Sequence, residues 1–403
     1  MKLVTRAASA SFGVAAGRYL IEIGAFLLPL VFWPALPQAF STPKIWLLAG
    51  LAAALVALAL KTTSRGREWP LLVWPVAASL SALTAPYVSL RALSLAVMPV
   101  AICWAAMRLR LAPNRLARAL LFASAVESIL VVLQYCGFDP LALSGWRPED
   151  FASSRMRAYG TLGNPNYVAA WLCATLPLFA GAFAHQERRS RLGMIVWSAL
   201  FALQLSAIAA TGSRVFLLAA PAAMAVLLWR SGRLGKWWLA AVPVAAVLVW
   251  LSPARPLGAT VEGRIYLTRV ALSQWAEIPL AGYGPGAFAP RFAEWQVQWL
   301  RERGPSEPAR IFAGDADHAH NDYVELCVEY GLIGLCAFAA VSIWLMLQGR
   351  RQVADAGPWS AAAWAGVAAL LAAAFVDFPF HRPAEWALYW ILLAAAAGRE
   401  PQV

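Results

Sequence analysis

The stretch Asp315-Ala316-Asp317-His318-Ala319-His320-Asn321-Asp322-Tyr323-Val324-Glu325 sets imidazoles, an amide and carboxylates directly before an apolar run. Two of the chain's four histidines stand in it. The apolar run, near 322–347, is long enough to cross a hydrocarbon core about 30 Å thick. The stretch therefore reads as a polar cluster at the mouth of a membrane helix.

The rest of the chain supports that setting. Of its 403 residues, 61% are hydrophobic and 13% are charged, whereas charged residues make up roughly a quarter of a soluble domain. Apolar runs recur near 18–36, 43–60, 70–86, 92–107, 114–135, 167–184, 192–210, 214–229, 236–251, 322–347, 358–376 and 383–398. Because a backbone in lipid must satisfy its own hydrogen bonds, these runs predict helices. The expected fold is all-α, a polytopic integral membrane protein of about twelve transmembrane helices. It forms a single domain over 1–403, with a large loop at 252–321 between the ninth and tenth spans. Twenty Trp and ten Tyr, many near the run ends, fit interfacial aromatic belts.

The formal charge of +12 does not indicate nucleic acid, because the basic residues sit in short loops between spans. Lys2 and Arg6, then Lys61, Arg65 and Arg67, then Arg108, Arg110, Arg115 and Arg118 mark alternate loops. The pattern continues through Arg188, Arg189 and Arg191, Arg230, Arg233 and Lys236, Arg350 and Arg351, and Arg399. The positive-inside rule places both termini in the cytoplasm. Long loops at 136–166 and 252–321 then fall outside, with only Lys44, Arg91, Arg214 and Arg382 in the short outer loops. No cleavable signal peptide is evident, since Pro34 and Pro37 follow the first run. The five cysteines form no spaced framework, so neither disulfides nor a cysteine metal site is expected.

In the larger loop, Phe288, Phe292, Trp295 and Trp299 share one helical face. That face suits either the membrane interface or the remainder of the loop. Glu22 and Glu127 fall within spans, where a carboxylate either serves a polar cavity or makes a buried structural hydrogen bond.

The expected topology gathers His318, His320, His381, Arg214, Arg264, Arg269 and Arg382 on the outer face. Guanidinium groups suit phosphate, and Arg214, Arg264 and Arg269 could converge as a diphosphate clamp. Asp322 followed by Glu325 has capping-box spacing, which puts Asp322 at the N-cap. His318 and His320 then precede a helix N-terminus, a favourable place for anions. Three readings stay open for them: a general base, a metal site and a structural turn. The chemistry this face suits best is on a phosphorylated, lipid-borne substrate at the outer leaflet.

Several stretches together resemble the O-antigen ligase/polymerase family of membrane glycosyltransferases. His320-Asn321 with Gly331 downstream is similar to the family's His-Asn/Ser motif, although Leu335 departs mildly from it. Gly163-Asn164-Pro165-Asn166-Tyr167 resembles the entry to a central span, and Thr211-Gly212-Ser213-Arg214 and Gly263-Arg264-Ile265-Tyr266 resemble its two arginine positions. The resemblance covers about 155–340. It implies a GT-C-type fold in the bacterial inner membrane, with the active site facing the periplasm. It implies an undecaprenyl-diphosphate-linked glycan donor, a lipid A–core acceptor, inversion, and neither metal nor other cofactor. His320 would be the base, and Arg214 and Arg264 would hold the diphosphate. Asn321, His318, Asn164, Asn166, Arg269 and Arg382 would bind substrate. A polysaccharide polymerase is the runner-up, followed by a protein O-oligosaccharyltransferase, which often carries extra C-terminal sequence. A lipid-linked sugar transporter stands as the alternative from another class.

Overall fold

The structure is a computed structural model that describes residues 2–62, 68–146, 158–186, 190–230, 257–304, 311–351 and 357–397. Among these residues the chain is helical and carries no strand. In chain order the helices are α1 (Lys2–Leu30), α2 (Thr42–Leu60), α3 (Val73–Thr84), α4 (Leu90–Arg108), α5 (Pro113–Tyr135), α6 (Pro165–Thr175) and α7 (Leu178–Gln186). They continue as α8 (Arg191–Thr211), α9 (Phe216–Arg230), α10 (Leu257–Ser273), α11 (Phe288–Arg303), α12 (Asp322–Arg351), α13 (Pro358–Ala373) and α14 (Pro383–Ala397). Among the described residues, seven helical segments are long and apolar enough to cross a membrane, and four shorter apolar ones accompany them. These eleven match eleven of the expected runs; the twelfth, 236–251, lies outside the described residues.

Two of the short helices, α13 and α14, owe their apolarity to protein neighbours. Every residue of α14 is buried, as expected of a helix that is hydrophobic all round. It packs on α4, α12 and α13, while α13 also packs on α6, α7 and α9. At 15 residues it spans only about 22 Å. Protein neighbours on all sides spare it the need to match the bilayer. The lipid-facing lengths come from outer helices such as α2 and α8, where Trp46 and Leu192 stay exposed.

The amphipathic helix of the long loop faces the protein. Phe288, Phe292 and Trp295 of α11 are buried against Tyr266 and Val270 of α10 and against Ala319 and Val328 around the start of α12. This small second core fixes α10 and α11 over one end of the bundle. The two in-span carboxylates are structural as well. Glu22 pairs with Arg115 at 2.8 Å, and Glu127 accepts from the Thr161 N–H at 2.9 Å and its hydroxyl at 2.6 Å. Lys44, expected in an outer loop, is buried, and its Nζ donates to the carbonyls of Val31 and Thr161.

The helix after the histidines is broken. Gly331 has φ 66° and ψ −172°, outside helical space, and only glycine tolerates such a conformation without strain. The break frees carbonyls that must find donors inside the membrane domain. A turn from the long loop supplies them. Tyr283 N–H donates to Val328 O and Gly284 N–H to Glu329 O, both at 2.9 Å, and the Ser81 hydroxyl also donates to Glu329 O. Ile333 N–H in turn donates to Leu280 O at 3.0 Å. The chains meet so closely that a Cβ on Gly331 would lie 2.1 Å from Leu280 O, and one on Gly282 would lie 2.2 Å from Glu329 O. Gly331→Val is expected to destabilise the fold by more than about 1 kcal/mol, read as a lower melting temperature of the purified protein. Melting at the wild-type temperature would show that this junction is not required.

Candidate active site

The polar stretch becomes a helix start built differently from the expected capping box. Asn321, not Asp322, is the N-cap: its Oδ1 accepts from Tyr323 N–H at 3.1 Å and Val324 N–H at 3.3 Å. An asparagine in that position satisfies amides that have no partner in the first turn. Asp322 is released for another task. Its carboxylate is buried, accepts from Phe380 N–H at 2.7 Å and contacts His381 Nδ1 at 2.5 Å. Glu325 turns back on the stretch, accepting from Ala319 N–H at 2.9 Å and meeting His318 Nδ1 at 2.7 Å.

These bonds tie the first turn of α12 to the segment between α13 and α14. The opposite side chain of that segment, Asp377, completes the arrangement around His320. Asp377 is wholly buried, with Oδ1 3.6 Å from His320 Nδ1 and Oδ2 3.3 Å from Arg382. Burial would raise its carboxyl, but Arg382, His320 and Arg264 together hold it below its ordinary value. His320 has a left-handed φ of 50°, uncommon for a side-chain-bearing residue. Its side chain is 36% exposed although Nδ1 is buried. The exposed part of the side chain therefore lies away from Nδ1.

Arg264 on α10 joins the same locale. Burial lowers its pKa, Asp377 opposes that shift, and the like charge of Arg214 adds to it. The groups quoted as base and diphosphate holders thus share one electrostatic neighbourhood. Arg269 stands apart, exposed on α10 while Tyr266 and Val270 face the loop core. Arg382 is buried, pairs with Asp377 and with Glu385 at 3.4 Å, and lies 4.0 Å over the Tyr167 ring. It borders a small cavity of about 200 Å³ together with Lys44 and His318.

The asparagines of the 163–167 stretch act as scaffold in the structure. Asn164 caps α6, accepting from Asn166 N–H at 2.9 Å. The Asn166 Oδ1 accepts from the Ser213 hydroxyl at 2.7 Å. Ser213 immediately precedes Arg214, so this bond fixes the turn between α8 and α9 that presents that arginine.

A cluster that could hold a cation also differs from the one suggested by Asp315, Asp317, His318 and His320. The ligand atoms of Glu325, Glu329 and His381 lie within 4.8 Å of one another. His381 Nε2 is 3.6 Å from Glu325 and 3.3 Å from Glu329, and its Nδ1 faces Asp322. Burial would lower its pKa, but the three carboxylates hold it well above the usual histidine value. An imidazolium there supplies the positive charge that a metal would otherwise bring.

Asp377 and Glu329 were not among the residues singled out from sequence. The signal for Asp377 was present: an acidic residue in the short Asp377-Phe378-Pro379-Phe380-His381-Arg382 link between apolar runs. Its partners are 57 and 113 residues away in sequence, at His320 and Arg264, so no local spacing reveals the pairing.

No curated protein matches the chain. Residues 199–339 match the family model described as O-Antigen ligase, a segment that contains Arg214, Arg264, His320 and Gly331. The resemblance carried by those motifs therefore holds, and the chain is O-antigen ligase-like over this segment.

Proposed function

We propose that this protein is an O-antigen ligase-type glycosyltransferase. It moves a glycan from undecaprenyl diphosphate to a hydroxyl of the lipid A–core at the periplasmic face of the bacterial inner membrane. The observation that carries this reading is His320, whose Nδ1 is held towards buried Asp377 in the neighbourhood of Arg264 and Arg214.

Each step has a residue suited to it. With Nδ1–H directed at Asp377, His320 Nε2 takes the proton of the acceptor hydroxyl. The acceptor oxygen forms its bond to the anomeric carbon from the face opposite the diphosphate, so configuration inverts. The carbon–oxygen bond to the diphosphate breaks through an oxocarbenium-like state. Arg264 and Arg214 take up the charge growing on the leaving phosphate, electrostatic help that is effective because the donors are already in place. A diphosphate leaves readily without a general acid. Asp377 acts through His320 and is a positioning residue. Arg382 holds Asp377 and the Tyr167 ring in turn.

His320→Ala is expected to lower kcat for glycan transfer by about 10²–10⁴-fold with membrane insertion and melting temperature retained. Normal decoration of lipopolysaccharide by this variant would rule out the base assignment. Asp377→Asn should also lower kcat, with the KM for the donor unchanged; a wild-type rate would mean that His320 needs no carboxylate. In a strain lacking the gene, carrier-linked long chains should accumulate while the core stays bare. Single repeat units on the core would instead identify a polymerase. Activity should survive chelation, because the His381 ring already occupies the space between Glu325 and Glu329. Loss under chelation that a divalent ion restores would place a metal on those three residues.

A further inference from the structure

A second chamber lies beside the His320 group. It is a cavity of about 470 Å³ bounded by α3, α4, α12 and the start of α14, a size typical of sites for small organic ligands (roughly 300–1,000 Å³). Its walls combine two chemistries. Tyr87, Phe380 and Trp386 contribute rings, and Gln38, Asp317 and Glu329 contribute polar groups. His318 also lines it, whereas His320, Asp377, Arg264 and Arg214 do not. The Phe378 ring lies between the two histidines: it stacks on His318 at 3.9 Å and meets His320 edge-on at 5.1 Å.

The composition selects among ligands. A diphosphate would meet Asp317, Glu325 and Glu329 here with Arg91 as the one arginine in the wall, while Arg264 and Arg214 do not line the cavity. A lipid tail would set the polar groups of Gln38, Arg91 and Asp317 against hydrocarbon, which is costly in a dry site. A pyranose satisfies both kinds of wall, because its C–H face packs on an aromatic ring and its hydroxyls donate to carboxylate and amide oxygens.

We propose that this cavity is a saccharide subsite, in which one or two sugar rings sit and extend past Phe378 towards His320. The inference rests on the glycosyl-transfer reading for its purpose, but its chemistry can be tested by binding alone. The sugars could belong to the acceptor or to the donor glycan.

The test uses the full-length protein in nanodiscs and three probes. These are deacylated core oligosaccharide, a short-prenyl diphosphate carrying the glycan, and inorganic diphosphate. Tyr87 is half-exposed and Asp317 is exposed, so Tyr87→Ala and Asp317→Asn are expected to fold; melting curves check this. Both variants should weaken at least one saccharide probe tenfold or more while leaving inorganic diphosphate unchanged. Weakening confined to the core oligosaccharide assigns the cavity to the acceptor, and weakening confined to the prenyl-linked probe assigns it to the donor glycan. Unchanged affinity for both saccharides, no binding of either by the wild type, or weaker inorganic diphosphate binding would overturn the proposal. A wild-type protein that binds saccharide here yet transfers none would instead sink the transfer reading and leave the subsite standing.

Discussion

The carboxylate of Asp322 joins the two segments on which the candidate site depends. It sits in the first turn of α12 and holds both the Phe380 amide and the His381 ring from the α13–α14 link. Without that tie the link would have no fixed height against α12. Asp377 would then have no defined distance to His320, and Phe378 no fixed place between the two histidines. A buried carboxylate is costly unless it is well bonded, and this one has an amide and an imidazolium as partners. The same imidazolium faces Glu325 and Glu329, so one charged ring serves three acids from one helix turn to the next.

The apolar spans within the described residues and their order were legible in the sequence, because apolar run length is a local signal. The centrality of α14 was not: a fully apolar run reads the same whether lipid or protein surrounds it. The aromatic face of 288–303 was also legible as a face, but periodicity says nothing about which apolar surface it meets; α10 and the start of α12 turned out to supply it.

The candidate site was legible in part, for a reason that separates residues that contact their environment from residues that hold others. His320, Arg264 and Arg214 could be named from motif-like stretches. The neighbouring Asn164, Asn166 and Asn321 carry the same polar look, yet their side-chain oxygens are taken up by backbone amides and Ser213. A short list of polar residues cannot separate these two uses, because both favour small amides beside helix starts. Asp322 shows the point most directly. Its spacing to Glu325 suited a capping box, but the cap fell one residue earlier, and the acid became a long-range tie.

Broken helices often mark transport paths, and among the described residues there are two interruptions, between α6 and α7 at Pro177 and within α12 at Gly331. Each is closed by protein. Near the first, Gln204 Nε2 donates to Leu172 O at 2.8 Å and to the Thr175 hydroxyl at 3.0 Å, and Thr175 bonds Ser124. At the second, backbone amides of the Leu280–Gly284 turn and the Ser81 hydroxyl take the freed carbonyls. Carbonyls that already hold such donors are poorly placed to strip water from a passing ion or sugar. The break at Gly331 has a different effect: it docks the long loop, and with it Arg264 on α10, against α12, which starts at Asp322. A helix interruption here fixes where the long loop sits against α12.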